Sequence, residues 1–185
     1  MNPHGAMIEY ADQLLKIPEA WARIEELNEA RSPGWNARVE EVARWIEERI
    51  PGGPYGYTHG RWQELPAWVR LQLLDTWLRW TTNKATTCRH NPQAEYPAPV
   101  FAALWRPGLV SCGPCSAYLL RLTGDADRTC DSCGRVVAGL NVGDGIFPCG
   151  VVYGPMTLLW GACGDCRPPG PVRPGVKPRR KRGRR

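Results

Sequence analysis

Apolar residues recur at helical spacing in three stretches before residue 81, and after it the pattern breaks into short apolar runs. In the first stretch Ile8, Leu14, Leu15 and Ile17 lead to Pro18, which lacks a backbone donor and so kinks the helix or starts a new one at that point. Trp21, Ile24 and Leu27 continue the spacing until Ser32-Pro33-Gly34 ends it. The second stretch predicts a helix from about Asn36 to Ile50. Val39, Val42, Trp45, Ile46 and Ile50 form its stripe, Glu40, Glu41, Glu47 and Glu48 lie off it, and Pro51-Gly52-Gly53-Pro54 stops it. In the third, Pro66 suits a first helical turn, and Val69, Leu73, Leu74, Trp77, Leu78 and Trp80 supply the apolar positions. Stripes so rich in Trp predict the core of a small helical bundle, with a docking face for a partner helix or for the cysteine-bearing second half as the alternative.

Beyond Thr81 the apolar runs 100–105, 109–110, 136–137, 151–153 and 158–160 sit between Gly and Pro residues, as short strands between turns do. The stretches 100–105 and 117–122 also fit single helices. The last 18 residues hold Pro and basic side chains with almost nothing to bury, which predicts disorder. The expected architecture is therefore α+β. A helical region (1–86) packs beside a small loop-rich module with short hairpins (87–167), followed by a disordered basic tail (168–185).

Composition adds the chemistry. At 185 residues the chain suffices for one sizeable domain or two small ones. Its eight Cys fall mostly in pairs: Cys88-Arg89-His90, Cys112-Gly-Pro-Cys115, Cys130-Asp-Ser-Cys133 and Cys163-Gly-Asp-Cys166. Two ligands separated by two residues can wrap a tight turn around one tetrahedral ion, and two such turns complete a four-coordinate shell. Cysteines this close in sequence make poor structural disulfides. Gly134, directly after Cys133, suits the left-handed conformation such a turn needs. The eight ligand candidates are therefore Cys88, His90, Cys112, Cys115, Cys130, Cys133, Cys163 and Cys166, enough for two structural Zn2+ ions. Cys149 has no partner pair and reads as a small apolar residue.

Chain-order pairing gives one site of three cysteines and a histidine and one site of four cysteines. Cross-bracing, as in RING-type domains, would instead join the first pair to the third and the second to the fourth. It closes loops of 39 and 47 residues in place of 21 and 29, which costs only about 1 kcal/mol in all. The turn-rich segment 134–162 can return the fourth pair to the third, and this favours chain order. By its spacing, the stretch of roughly 128–168 resembles a zinc ribbon, in which two such turns sit on a β-hairpin scaffold. That resemblance implies a structural zinc and leaves function open.

Other chemistry fits less well. There is no HExxH, and neither His59 nor His90 begins the HxE of a nucleobase deaminase. Cys112-Gly-Pro-Cys115 resembles the redox dithiol of thioredoxins, with 109–110 as the strand before it and 116–122 as the helix after it. A thiol-disulfide oxidoreductase is thus an alternative function. Ser111, where thioredoxins carry Trp, departs from that pattern.

Charge divides the chain. Residues 1–87 carry a net −2, residues 88–166 a net −1, and residues 167–185 a net +9. Arg179, Arg180, Lys181, Arg182, Arg184 and Arg185 form a dense cation run, which predicts salt-sensitive contact with DNA or RNA phosphates. The tail's other reading is contact with its own acidic body. The absence of a charged-then-apolar leader, of a long apolar run and of obvious disulfide spacing leads us to expect a cytoplasmic protein with reduced thiols and no membrane contact. The leading expectation is a non-enzymatic zinc protein that binds nucleic acid through its tail. A protein-interaction adaptor using the Trp-rich helices is the alternative.

Overall fold

A computed structural model describes residues 13, 18–49, 57–59, 65–139 and 145–167. The apolar residues expected to form a helix over 8–17, the end of the second stripe at Ile50, and the basic tail with its cation run lie outside the described residues.

Helix α1 (Pro18–Arg31) begins at the proline where the sequence calls for a kink or a new helix. Helix α2 (Trp35–Arg49) follows after one turn. Glu29 joins them, because its carboxylate accepts the backbone N–H groups of Gly34 (2.5 Å) and Asn36 (2.8 Å). The bond from Asn36, then that from Gly34, holds its pKa below the ordinary carboxylate value. Helix α3 (Ala67–Thr81) starts at Pro66, whose carbonyl accepts the N–H groups of Val69 and Arg70. The remaining elements are β1 (Tyr57–His59), β2 (Thr86–Thr87), β3 (Val100–Ala103), β4 (Leu109–Cys112), α4 (Gly113–Leu119), a 3-10 turn (Gly124–Arg128), β5 (Ile146–Tyr153) and β6 (Met156–Cys163).

The strands form one mixed sheet in the order β1-β5-β6-β3-β4-β2. The eight-residue hairpin β5–β6 is antiparallel, from Ile146 opposite Cys163 to Tyr153 opposite Met156. β3 runs parallel to β6 and antiparallel to β4, and β2 runs parallel to β4. Side chains alternate between the faces. Val100, Ala102, Val110, Val151, Leu158, Trp160 and Ala162 turn to one face and meet Trp35, Val69, Leu73, Trp77 and Trp80 from the helices. The α+β class is as expected. The Trp stripe, however, packs on a sheet and does not form a helical bundle, and one core crosses the boundary expected between residues 86 and 87. Four-residue strand β3 stands where a helix over 100–105 also fitted, and α4 begins earlier than the 117–122 stretch.

The stripes are narrower than they read. Val69, Leu73, Trp77 and Trp80 are buried, but Leu78 on the same helix is exposed. On α2, Ile46 is buried and Trp45 is 45% exposed, while Trp35, one residue before the expected helix, lies fully in the core. Trp77 ties the layers together through edge contacts with Trp35, Trp80 and Tyr153, at centroid distances of 5.9, 5.6 and 5.1 Å. Cys149 is buried in this core, as its isolation in sequence implies.

Candidate metal centres

The fold brings the eight candidate ligands into two groups. Cys88, His90, Cys112 and Cys115 form one, and Cys130, Cys133, Cys163 and Cys166 form the other, with all ligand atoms of a group within 4.8 Å of one another. These are the groups that chain order gives. Every cysteine is a free thiol.

Strand register builds the first group. Thr87 on β2 lies opposite Val110 on β4, so the residue after β2, Cys88, arrives beside the end of β4, where Cys112 stands. Cys112 is also the N-cap of α4, which places Cys115 on its first turn. His90 comes from the loop after β2. A bond from Asn91 N to Cys88 O (2.8 Å) closes that loop, and Asn91 takes a positive φ of 42° to make it. Two indoles fix where the loop goes next. Trp80 Nε1 donates to Pro92 O (2.7 Å), and Trp35 Nε1 donates to Ala94 O (2.9 Å). The helices thus hold the segment that carries His90, a role that periodicity alone does not reveal.

The second group joins a small hairpin to the main one. Thr129 and Val136 form a single bridge, Cys130 N bonds Arg135 O, and Gly134 N bonds Cys130 O with Gly134 at φ 74°. The glycine takes the left-handed position its place in the sequence suggests. Cys163 ends β6, and the N–H groups of Cys166 and Arg167 both donate to its carbonyl. Asp131 docks the two halves. Its N–H donates to Gly161 O, and it accepts Gly161 N at Oδ2 (2.6 Å).

The spacing within each group tests the fit to metal. Two sulfurs each about 2.3 Å from a tetrahedral zinc stand about 3.8 Å apart, and a sulfur–nitrogen pair about 3.6 Å apart. Cys88 Sγ lies 3.7 Å from Cys112 Sγ, and Cys133 Sγ lies 3.9 Å from Cys163 Sγ. His90 Nδ1 lies 3.2 Å from Cys115 Sγ and 3.4 Å from Cys112 Sγ. The sulfur–sulfur distances match the edge of such a tetrahedron, the sulfur–nitrogen distances are somewhat shorter than it, and all are far from the roughly 2.05 Å of a disulfide. Each group is closed by four protein ligands of a kind that suits zinc.

The thiols also titrate as a crowded set. Burial pushes Cys163 up, but the N–H of Cys166 and the neighbouring thiols more than offset it, bringing it to about 6. Cys88 reaches about 7, where burial is outweighed by the N–H groups of Cys112 and His90. Cys166 moves the other way, to about 12. Ser132 lowers it, but Cys163, burial, Cys133 and Cys130 together prevail. One thiol of each site thus ionises early and makes the next harder to ionise, a conflict that a cation among them removes. Arg135, paired with Asp165 at 2.9 Å, adds one positive charge beside Cys163.

Two residues touching the sites were not singled out from sequence. Tyr118 Oη lies 2.9 Å from Cys115 Sγ, and its position three residues on, one turn along α4, is the signal that could have found it. Asp131 sits between two ligands of one CxxC pair. The dithiol Cys112-Gly-Pro-Cys115 does lie on a strand–helix joint, as a redox site would. Yet Cys112 is also in reach of Cys88 and His90, and although Cys115 N–H favours its thiolate, burial and the side chains of Cys115 and Cys88 raise its pKa overall.

Comparison with known proteins finds no match: no family model fits the chain, and neither a curated protein nor a solved structure is similar to it. Among the described residues, no helix is long and apolar enough to cross a membrane.

Proposed function

We propose that the protein is a non-enzymatic binding protein whose sheet is stapled at two corners by structural Zn2+ and whose basic tail contacts nucleic acid. The observation that carries the metal reading is the gathering of the eight candidate ligands into two four-ligand groups, each with a sulfur–sulfur distance near a tetrahedral edge. Cys88, His90, Cys112 and Cys115 would hold one ion, and Cys130, Cys133, Cys163 and Cys166 the other. When bound, zinc supplies fixed geometry and neutralises thiolates, so the chain's own short loops can be rigid without a large local core.

Charge supports giving nucleic acid to the tail. A zinc ion with three thiolates and a neutral imidazole carries about −1, and one with four thiolates about −2. The body, residues 1–166, then falls from −3 to about −6, so phosphate attraction must come from the +9 tail. Metal analysis of protein purified without added metal should give two zinc ions per chain. Full-length protein should bind a 20-nucleotide single strand with a steep loss on adding salt. Changing Arg179, Arg180, Lys181, Arg182, Arg184 and Arg185 to Gln should remove that binding and leave the zinc. Equal binding by both proteins would refute the role of the tail.

A second reading, a protein-interaction adaptor, is favoured by Leu27 and Trp45, both about half exposed on α1 and α2. Capture of a partner lost on Trp45→Ser, with nucleic-acid binding unchanged, would favour it.

A further inference from the structure

Among the described residues, helices α2 and α3 cover one face of the sheet. On the other, a cleft of about 590 Å³ opens between the two metal centres. Phe101 and Leu159 form its floor, and both are only half-buried. Trp105 and Leu120 stand on the side of the first centre, where Trp105 Nε1 donates to Leu120 O at 3.0 Å and fixes the ring. Asp127 and Asp131 stand on the side of the second. Helix α4, which carries Cys115, and the hairpin that carries Cys130 are the walls, so the centres set the width of the cleft.

We propose that this cleft receives the chain's own proline-rich segment, residues 168–178. Three observations converge. The first is where the described chain ends. Arg167 follows the ligand Cys166 and lies over the ring of Phe147 (4.8 Å), on the helix-facing side at the start of β5, where the neighbouring Ile146 and Pro148 line the cleft on the opposite side. The second is composition. Pro168, Pro169, Pro171, Pro174 and Pro178 are interspersed with Gly170, Val172, Arg173, Gly175, Val176 and Lys177. Such a segment favours the polyproline II form, which docks on aromatic-lined grooves at little entropic cost. Eleven residues in that form span about 34 Å, ample to turn round the start of β5 and lie along the cleft.

The third is charge. The cleft offers two carboxylates and is flanked by two anionic centres, whereas the segment carries only cations. Arg121 at the rim is the one opposing charge among the described lining residues. The same field repels a phosphate backbone, which argues against nucleic acid as the occupant. Tethering keeps the segment at a high effective concentration, so a weak groove suffices. Docked this way, residues 168–178 become an anchored arm that presents the cation run 179–185 at one place on the body. The proposal rests on the reading that both zinc centres form.

The test uses the full-length, zinc-loaded protein with the photo-crosslinking residue p-benzoylphenylalanine in place of Val172, illuminated in dilute solution and mapped by mass spectrometry. Crosslinks within one chain to the peptides of Phe101, Trp105, Leu120 or Leu159 are expected, falling to background in Asp127→Arg. Crosslinks to other surfaces or only between two chains would overturn the proposal. So would silence from both Val172 and a second probe at Ala117 on the cleft wall. Zinc content and single-strand binding are measured on the same sample. Loss of single-strand binding with the crosslinks intact overturns the role of the tail in the proposed function and leaves this docking standing, whereas absence of zinc overturns both. Normal zinc and binding without cleft crosslinks does the reverse.

Discussion

Asp131 and Gly161 hold each other by two hydrogen bonds, Asp131 N to Gly161 O at 2.9 Å and Gly161 N to Asp131 Oδ2 at 2.6 Å. This pair fixes the first turn of the second centre against β6, two residues before Cys163. Asp131→Ala leaves the buried Gly161 N–H unpartnered, which costs about 1–3 kcal/mol. Because the pair orients a ligand-bearing turn, zinc affinity at this site should fall by about 10- to 100-fold. Competition against a chromogenic chelator should show the weakened site, with the first unaffected. Asp131→Asn, whose side-chain oxygen still accepts the bond, should recover most of the loss.

Removing metal should loosen the two parts of the back half unequally. The small cluster at the second centre holds Cys130, Val137, Ile146 and Cys163, so half of its buried members are candidate ligands. The hairpin around Cys130 has a single bridge, whereas β5–β6 is paired over eight residues. After chelation, hydrogen exchange at Cys130, Gly134 and Val137 should become fast while the amides of β5–β6 remain protected. Uniform loss of protection would show that zinc holds the whole sheet.

Zinc binding should release protons, and its affinity should fall on acidification. At pH 7.5 Cys163, at about 6, is already ionised, but Cys166, at about 12, retains its proton and must lose it to bind. Calorimetry in buffers of different ionisation enthalpy should report at least one proton released at the second site. The metal-free fold has its own dependence. Cys163 titrates below its ordinary 9.0, so its ionisation contributes stability that is present above pH 9 and is lost as pH falls through about 6. Cys166, raised above 9.0, opposes this at alkaline pH. Thermal melts of metal-free Cys163→Ser should lose the acid-side slope.

Trp80→Phe keeps most of the ring but removes the donor to Pro92 O. We expect a loss of about 1–2 kcal/mol in stability from the missing bond. Zinc at the first site should exchange faster, because the His90 loop loses one of its two pins. Unchanged exchange at the first site would mean that Trp35 alone suffices.

Gly154 turns β5 into β6 at φ 54°, and a Cβ there would stand 2.9 Å from Val39 and 3.2 Å from Trp77. Gly154→Ala adds left-handed strain to overpacking between α2, α3 and the hairpin. A destabilisation of about 2–4 kcal/mol is expected in denaturant melts, with zinc stoichiometry unchanged.

The candidate metal ligands and the helices were legible in the sequence, because both are local. Two cysteines with two residues between them meet in one turn whatever surrounds them, and an i, i+4 stripe lies on one helix face in any fold. The sequence also marked Cys149 as the cysteine without a pair, and Gly134 as the turn residue. What covers a stripe is not local. The same Val69, Leu73, Trp77 and Trp80 would serve a bundle or a sheet, and only the pairing of strands far apart in sequence supplied the sheet. Register decided the rest. It set Cys88 beside Cys112 and Asp131 against Gly161, while the indole bond of Trp35 to Ala94 O goes with its place in the core, outside which Trp45 stays. Such choices depend on hydrogen bonds between segments about 20 to 60 residues apart, whose loop-closure costs differ too little for chain order alone to select them.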